Sequence, residues 1–325
     1  MENKKGRTSG IICNCAVKWK KVKAYIKHPS SIIAFILLST PLRRILNDRT
    51  YIKLRYSLNF KKTLNLDYPQ TYTEKLQWLK LYDHNPEYTK MVDKYAMKEW
   101  VCSKIGEGYT IKNYGVWDNA EDIDFDSLPS QFVLKATHDS GSFCICKDKS
   151  KFDFDAAKKK LNRALLRDQY IYSREWPYKN VPRRIIAEEF LVDESGYELK
   201  DYKFFCFDGK PVMMFIASGR TLNETTFDYF DMDFNHLNLT QTHPNASHPY
   251  EKPKDFDRMK TLAGKLSEGI PEIRVDFYYV NGKILVGELT FFHYGGFAPF
   301  YPDKWDAYLG SFLKLPNVNN ENVSI

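Results

Sequence analysis

The dipeptide Asn281-Gly282 lies between two apolar runs, Ile273 to Val280 and Lys283 to Leu289. Asn-Gly accepts the positive φ angles of a tight two-residue turn, so the two runs read as a β-hairpin. Arg274 and Asp276 are two residues apart and share one face of the first strand. Glu288 and Thr290 share one face of the second. The hairpin thus offers Asp276, Glu288 and Thr290 as an oxygen-only cluster, the type that Mg²⁺ prefers, with a substrate phosphate completing its shell. The same letters also describe the polar, solvent-facing side of an ordinary hairpin.

A second hairpin, Lys203 to Phe207 and Pro211 to Ala217, turns at Asp208-Gly209. Strand patterns also cover 109–116, 131–136, 143–146 and 184–191. Helical spacing covers 73–82, 154–169, 256–268 and 303–313. Asp93 reads as the N-cap of a helix that runs to Ile105 and stops at Gly106. Residues 219–252 read as irregular. Helices interspersed with hairpins argue for an α+β fold of two lobes rather than a doubly wound parallel sheet. No G-x-G-x-x-G follows a strand and no G-x-x-x-x-G-K-[ST] occurs, which argues against a Rossmann or P-loop site.

The charge is uneven. Residues 1–62 hold 15 Lys/Arg against Glu2 and Asp48, a balance of +13. The whole chain is +7, so the other 263 residues carry −6. Such a basic extension suits an anionic surface. Within it Trp19, Val22 and Ile26 make a helical stripe among lysines, the pattern of a helix lying in a membrane interface or docked on the protein body. The longest apolar run, Ile32 to Leu38, is too short to span a bilayer. Six cysteines, two pairs of them as C-x-C, have neither metal-ligand spacing nor the look of a disulfide framework, so a reducing cytoplasm is expected. The expected organisation is a basic helical extension at 1–62, disordered at 1–16. Lobes follow at 63–192 and 193–315, then a disordered tail at 316–325.

A nucleotide site without a P-loop needs cations, a small-residue loop over the phosphates, an apolar slot, a ribose acceptor and metal carboxylates. Lys135 ends a strand just before Thr137-His138-Asp139-Ser140-Gly141-Ser142, where backbone N–H groups can meet phosphate oxygens. Lys94 is placed in the first turn of the helix capped by Asp93. Glu188, Glu189, Phe190 and Leu191 offer main-chain groups and apolar side chains to adenine. Each element alone also reads as ordinary surface or turn.

Their order resembles the ATP-grasp fold, and within it the TupA-like ATP-grasp family. The motifs are T-E-K-L-Q-W-L-K at 73–80, V-D-K-Y-A-M-K at 92–98, L-K-A-T-H-D-S-G-S at 134–142, A-E-E-F-L at 187–191, D-Y-K-F-F-C-F-D-G at 201–209 and R-V-D…G-E-L-T at 274–290. The resemblance covers about residues 65–315. It implies that Lys94 and Lys135 grip ATP phosphates and that Ser140, Gly141 and Ser142 close over them. It gives the adenine hinge to Glu188–Leu191 and Mg²⁺ to Asp276 and Glu288. Arg274 then faces the reacting centre. Asp201 is the ribose carboxylate, with Glu198 as competitor. Thr290 departs from the commoner Asn at the third metal-side position. His138 and His293 are candidates to orient substrate or move a proton, or are hydrogen-bonded structural histidines.

ATP-grasp enzymes mostly activate a carboxylate as an acyl phosphate that an amine or thiol attacks. Proteins of this family tend to be linked with bacterial surface polysaccharides. The resemblance therefore implies a cytoplasmic carboxylate–amine ligase using ATP and Mg²⁺, peripheral at the inner face of the membrane. An anionic sugar, glycan or lipid-linked glycan would be its substrate, and no nucleic-acid partner is expected. A sugar kinase on the same fold is a second reading. A nucleotide-sugar glycosyltransferase is a third, resting on the D-x-D tripeptides at 122–124 and 231–233.

Overall fold

The computed structural model describes residues 29–220 and 224–317. The Trp19/Val22/Ile26 stripe, Cys13, Cys15, the expected disorder at 1–16 and most of the expected tail lie outside the described residues. The chain divides into two compact units, 1–64 and 65–325.

In the first unit, helix α1 (Pro29–Ser39) ends before Pro41, which opens a 3₁₀ turn (Pro41–Arg44). Proline disfavours helical backbone in the residue before it. Asn47 then caps α2 (Asp48–Phe60), its Oδ1 accepting the N–H of Thr50 at 2.9 Å. The second unit opens on α3 (Tyr72–Tyr82). Thr71 and Glu74 form a reciprocal capping box that fixes its start. Two short helices follow, α4 (Glu87–Val92) and α5 (Ala96–Ile105), the latter stopped by Gly106 at φ 87°.

Asp93 ends α4 in extended backbone and opens the next helical turn, as expected of an N-cap: its Oδ1 accepts the N–H of Tyr95 at 2.9 Å and its carbonyl accepts the N–H of Met97 at 2.9 Å. Regular α-helix begins at Ala96, so Lys94 lies in the turn between the cap and α5.

Strands β1 (Asn113–Trp117), β2 (Phe132–Ala136), β3 (Phe143–Cys146) and β4 (Ile185–Glu189) form an antiparallel sheet in the order β1-β4-β2-β3. Helix α6 (Phe154–Leu165) covers one face. Its Leu161 joins Phe132, Leu134, Cys146, Ile185 and Ala187 in a small core. The helix expected over 154–169 stops at Leu165, and α7 (Gln169–Ser173) starts anew after the cap Asp168.

The larger sheet has five antiparallel strands in the order β7-β6-β5-β8-β9: β5 (Asp201–Phe207), β6 (Lys210–Ser218), β7 (Thr226–Phe230), β8 (Ile273–Val280) and β9 (Lys283–Thr290). Helix α8 (Phe256–Ser267) packs on one face, with Phe256 against Phe204. Helix α9 (Lys304–Phe312) packs beside α3. Both predicted hairpin turns are present, with Asp208-Gly209 and Asn281-Gly282 all at positive φ. Strand β7 lies in the segment read as irregular. Its Phe and Tyr alternate with polar residues, but flanking polar loops mask the period.

Candidate active site

The register of the larger sheet sets one straight row across its second face: Tyr229, Phe215, Lys203, Asp276 and Glu288. The neighbouring row adds Phe205, Arg274 and Thr290, and Asp201 pairs with Tyr278. The polar end of this face is therefore built by β5, β8 and β9.

A β-bulge decides that Glu288 belongs there. From the turn, Val280 pairs with Lys283 and Phe277 with Val286, yet Asp276 pairs with Glu288. Gly287 is the extra residue. Without it, strict alternation would turn Glu288 and Thr290 to the opposite face, because a one-residue slip inverts every side chain. The sequence reading united Asp276, Glu288 and Thr290 without this bulge. Gly inside a strand pattern was the available signal. The ring of Tyr278 closes over Gly287, and a Cβ there would come to 2.6 Å from Tyr278 Cε2. Gly287→Ala is expected to cost about 1–3 kcal/mol of stability through this overlap. Thermal unfolding checks this; a wild-type melting temperature would contradict the packing argument.

Asp276 is fully buried and ion-paired. Arg274 donates Nε to Oδ1 at 2.7 Å and Nη2 to Oδ2 at 2.8 Å. Lys203 Nζ closes on Oδ2 as well. Burial pushes this carboxyl up, but Arg274 and Lys203 outweigh it and hold it below the usual carboxylate range. Arg274 also donates to Thr290 Oγ1 at 3.1 Å and contacts His293 Nδ1 at 2.5 Å. Asp201 is held by Lys203 at 3.4 Å and Arg220 at 2.5 Å. Its competitor Glu198 accepts the N–H of Gly219 at 2.9 Å and pairs with Lys200.

On the smaller sheet Lys135 and Glu188 share the face opposite α6. Glu188 is buried between two cations, Lys135 at 2.7 Å and Lys98 at 2.5 Å. Burial raises its pKa, but the two lysines reverse that and leave it lowered. Glu188 is thus a side-chain clamp on two lysines, while its neighbour Glu189 is exposed. Phe190 and Leu191 follow the strand end, and Lys147 lies 5.9 Å from the Phe190 ring.

Lys94 joins the two surfaces. Its Nζ donates to the carbonyl of Asp139 at 2.6 Å and stands 3.7 Å from Glu288. The loop that Lys94 touches is fixed from within. Ser142 Oγ binds the Asp139 carboxylate, and Arg167 donates to Ser142 Oγ at 3.1 Å. Ser140 and Gly141 stay exposed, Gly141 at φ 85°, and among the described residues their N–H groups donate to no protein acceptor. Such a loop can receive an anion.

Neither histidine is arranged as a proton carrier. His138 is buried against the end of α6, with Nε2 3.1 Å from the Ala164 carbonyl; burial lowers its pKa. His293 is buried between two partners. Arg274 has only protons to offer, so His293 Nδ1 accepts and Nε2 carries the hydrogen. That N–H donates to Gln241 Oε1 at 2.6 Å, and Gln241 Nε2 donates to the Ala298 carbonyl at 2.9 Å. Burial, then Arg274 and Lys203, hold His293 well below the usual histidine range. It is neutral and positions Arg274.

Lys98, Lys203, Arg220 and Gln241 were not among the expected site residues. Lys98 completes the D-K-x-x-x-K pattern, and Lys203 stands in an apolar strand, where a lysine needs a buried counter-charge. Gln241 lies in irregular chain and gave no signal. The two D-x-D tripeptides are turn caps. Asp124 Oδ1 accepts from Asp126 and Ser127, and Asp231 Oδ1 from Asp233 and Asn235.

The sequence profile of TupA-like ATP-grasp proteins matches residues 74–314. The chain belongs to the TupA-like ATP-grasp family. Its α+β architecture of two antiparallel sheets, with nine α-helices among the described residues, is the ATP-grasp fold. Similar solved structures include D-alanine–D-alanine ligase from Bacillus anthracis complexed with ATP, at 15% identity and TM-score 0.37. That match covers 62% of this chain and 53% of the ligase, so the TupA-like chain spans about half the length of that relative. The ATP-grasp ligase PsnB, complexed with a precursor variant, Mg and ADP, matches at 10% identity and TM-score 0.40 over 74% of this chain and 64% of that one. Phosphoribosylamine–glycine ligase from Thermotoga maritima matches at 14% identity and TM-score 0.37 over 63% and 49%. No curated protein matches.

The donor set fits Mg²⁺ in kind. Asp276 and Glu288 face each other across β8 and β9 with the Thr290 hydroxyl beside them. Among the described residues no trio of His, Cys, Asp or Glu forms a metal group by itself. Mg²⁺ typically takes one or two carboxylates and completes its shell from phosphate and water.

Proposed function

We propose that this TupA-like protein is an ATP-dependent carboxylate–amine ligase. The observation that carries the reading is Lys94, held 2.6 Å from the Asp139 carbonyl and 3.7 Å from Glu288. It places the small-residue loop beside the carboxylate pair, as a triphosphate and its metal require. Lys94 and Lys135 would grip the phosphates, and the N–H groups of Ser140 and Gly141 would meet their oxygens. Glu188 holds Lys135 and Lys98 in place at the mouth of the adenine slot, and Asp201 is the ribose acceptor. Asp276 and Glu288 would hold Mg²⁺, which supplies charge neutralisation when bound. Arg274, oriented by His293, would attract the acceptor carboxylate. That carboxylate takes the γ-phosphoryl group and releases ADP. An amine then attacks the acyl phosphate, releasing phosphate and a proton to leave an amide.

The substrate class is an anionic sugar or glycan, free or lipid-linked, of bacterial surface-polysaccharide synthesis at the cytoplasmic face. The cation-rich site suits an anionic acceptor. The D-x-D tripeptides serve as turn caps, which weighs against a nucleotide-sugar glycosyltransferase.

Incubation with ATP, Mg²⁺ and a panel of uronic and amino acids tests this. ADP, free phosphate and a condensed amide are expected. ADP with a phosphorylated sugar and no free phosphate would establish the kinase instead. Consumption of UDP-sugars would establish the transferase.

Lys94→Ala and Lys135→Ala should each weaken ATP binding about 10–100-fold, as each removes a cation from a polyanion in a shielded site. Calorimetric titration of both variants measures it. Wild-type affinity in both would remove the lysine assignment.

A further inference from the structure

We propose that α1 and the turn after it form a docking surface for an anionic lipid bilayer. The inference concerns residues 33–45 and does not depend on the reaction proposed above. Helix α1 carries no charged residue over Pro29–Ser39. Yet large aliphatic side chains stand in solvent on it and on the following turn: Ile33 is 61% exposed, Ile36 49%, Leu42 45% and Ile45 79%. Single exposed aliphatics are ordinary, whereas a cluster marks an interaction surface. A helix apolar on all sides belongs in an apolar setting.

Charge selects the partner. Residues 29–62 hold seven Lys/Arg, Arg44 and Lys53 among them, against Asp48 alone, seven minus one giving +6. A second copy of this chain would bring two such clusters together, and like charges oppose that contact. An anionic bilayer offers an apolar interior beneath negative headgroups, complementary on both counts.

Length selects the mode. Eleven residues of helix reach about 16 Å, roughly half of a hydrocarbon core. Among the described residues no helix is long and apolar enough to cross a membrane. The helix therefore lies in the interface, with Ile33, Ile36, Leu42 and Ile45 in the acyl boundary and the basic residues at headgroup level. This attachment lies next to the Trp19/Val22/Ile26 stripe in sequence but uses different residues.

Flotation of the full-length chain with phosphatidylglycerol–phosphatidylcholine vesicles, and with phosphatidylcholine alone, tests the proposal. Wild-type protein should float with the anionic vesicles, release as salt rises and ignore the neutral ones. The double variant Ile33→Asp/Ile36→Asp should partition at least about tenfold less. Leu42→Ser/Ile45→Ser, on exposed positions outside α1, should do likewise and guards against a misfolded helix. Melting temperature and its shift with MgATP should stay wild-type in both, separating attachment from nucleotide binding. Wild-type protein left at the bottom of the gradient would overturn the proposal, as would unchanged flotation of both variants. So would a salt-insensitive dimer that the substitutions dissociate without vesicle binding, which would assign the patch to a second copy.

Discussion

Asp276→Asn is expected to abolish turnover and, at the same time, to destabilise the fold by about 3–5 kcal/mol. The two losses have different origins. Turnover fails because Asn cannot supply the second charge of the Asp276–Glu288 pair. Stability fails because Arg274 and Lys203 both neutralise themselves on this fully buried carboxylate. Breaking a buried ion cluster by removing one sign strands the other. Glu288→Gln is the control: Glu288 is partly exposed, and among the described residues its one ion pair within 4 Å is with Lys94, at 3.7 Å. It should lose turnover with nearly wild-type stability. Urea unfolding of both variants separates the effects, and equal stability of Asp276→Asn and wild type would contradict the ion-cluster account. The pH dependence has a definite sign. The Asp276 carboxyl is held below its unfolded value, so its contribution is complete above about pH 3.9 and is lost as pH falls through the folded value.

What the sequence disclosed followed from how local each signal is. The Asp208-Gly209 and Asn281-Gly282 turns are read from a few adjacent letters, and both stand in the structure. The run Phe143–Cys146 is bounded by a glycine-containing loop and has the predicted limits. Asp93 was legible as a cap, through its bonds to the N–H groups of Tyr95 and Met97, whereas its ion pair with Arg184, 91 positions away, was not. Motif spacing pointed to Lys94, Lys135 and Asp276, which the structure places in charged clusters. The site was illegible where a distant partner defines the role. Glu188 looks like half of a solvated acidic pair until β2 and α5 bring Lys135 and Lys98 to it. His293 reads as a substrate-orienting, proton-moving or structural histidine until Arg274 and Gln241 occupy both of its nitrogens. The bulge at Gly287 is intermediate. Its glycine is visible in the sequence, but its effect on parity needs the register of the partner strand.

Gln241→Glu is expected to create an acid limb in the pH–rate profile that wild type lacks, with activity falling about 10²–10³-fold across it. In wild type His293 is neutral: burial, Arg274 and Lys203 all oppose its proton. Its Nδ1 can therefore accept from Arg274, and the profile should carry no histidine step near pH 6.5. A carboxylate in place of the Gln241 amide, 2.6 Å from Nε2, favours the imidazolium and raises the His293 pKa. Once charged, Nδ1 bears a hydrogen aimed at Arg274, and the guanidinium must leave its place beside Thr290 and Asp276. The groups facing this imidazole are Arg274 on β8, Lys203 on β5, Tyr229 on β7, Gln241 in the loop after β7, and the adjacent Tyr294; only the substituted position changes the balance. The loss should appear in kcat with little change in the KM for ATP, because Arg274 and not the lysine grip is displaced. The stability of wild type follows the same sign. The unfolded chain takes up a proton below about pH 6.5 and the folded one does not, so this contribution is complete above that pH and shrinks below it. A flat profile in Gln241→Glu would mean that His293 does not control Arg274. His293→Leu would then keep its kcat, whereas the relay requires it to fall at every pH.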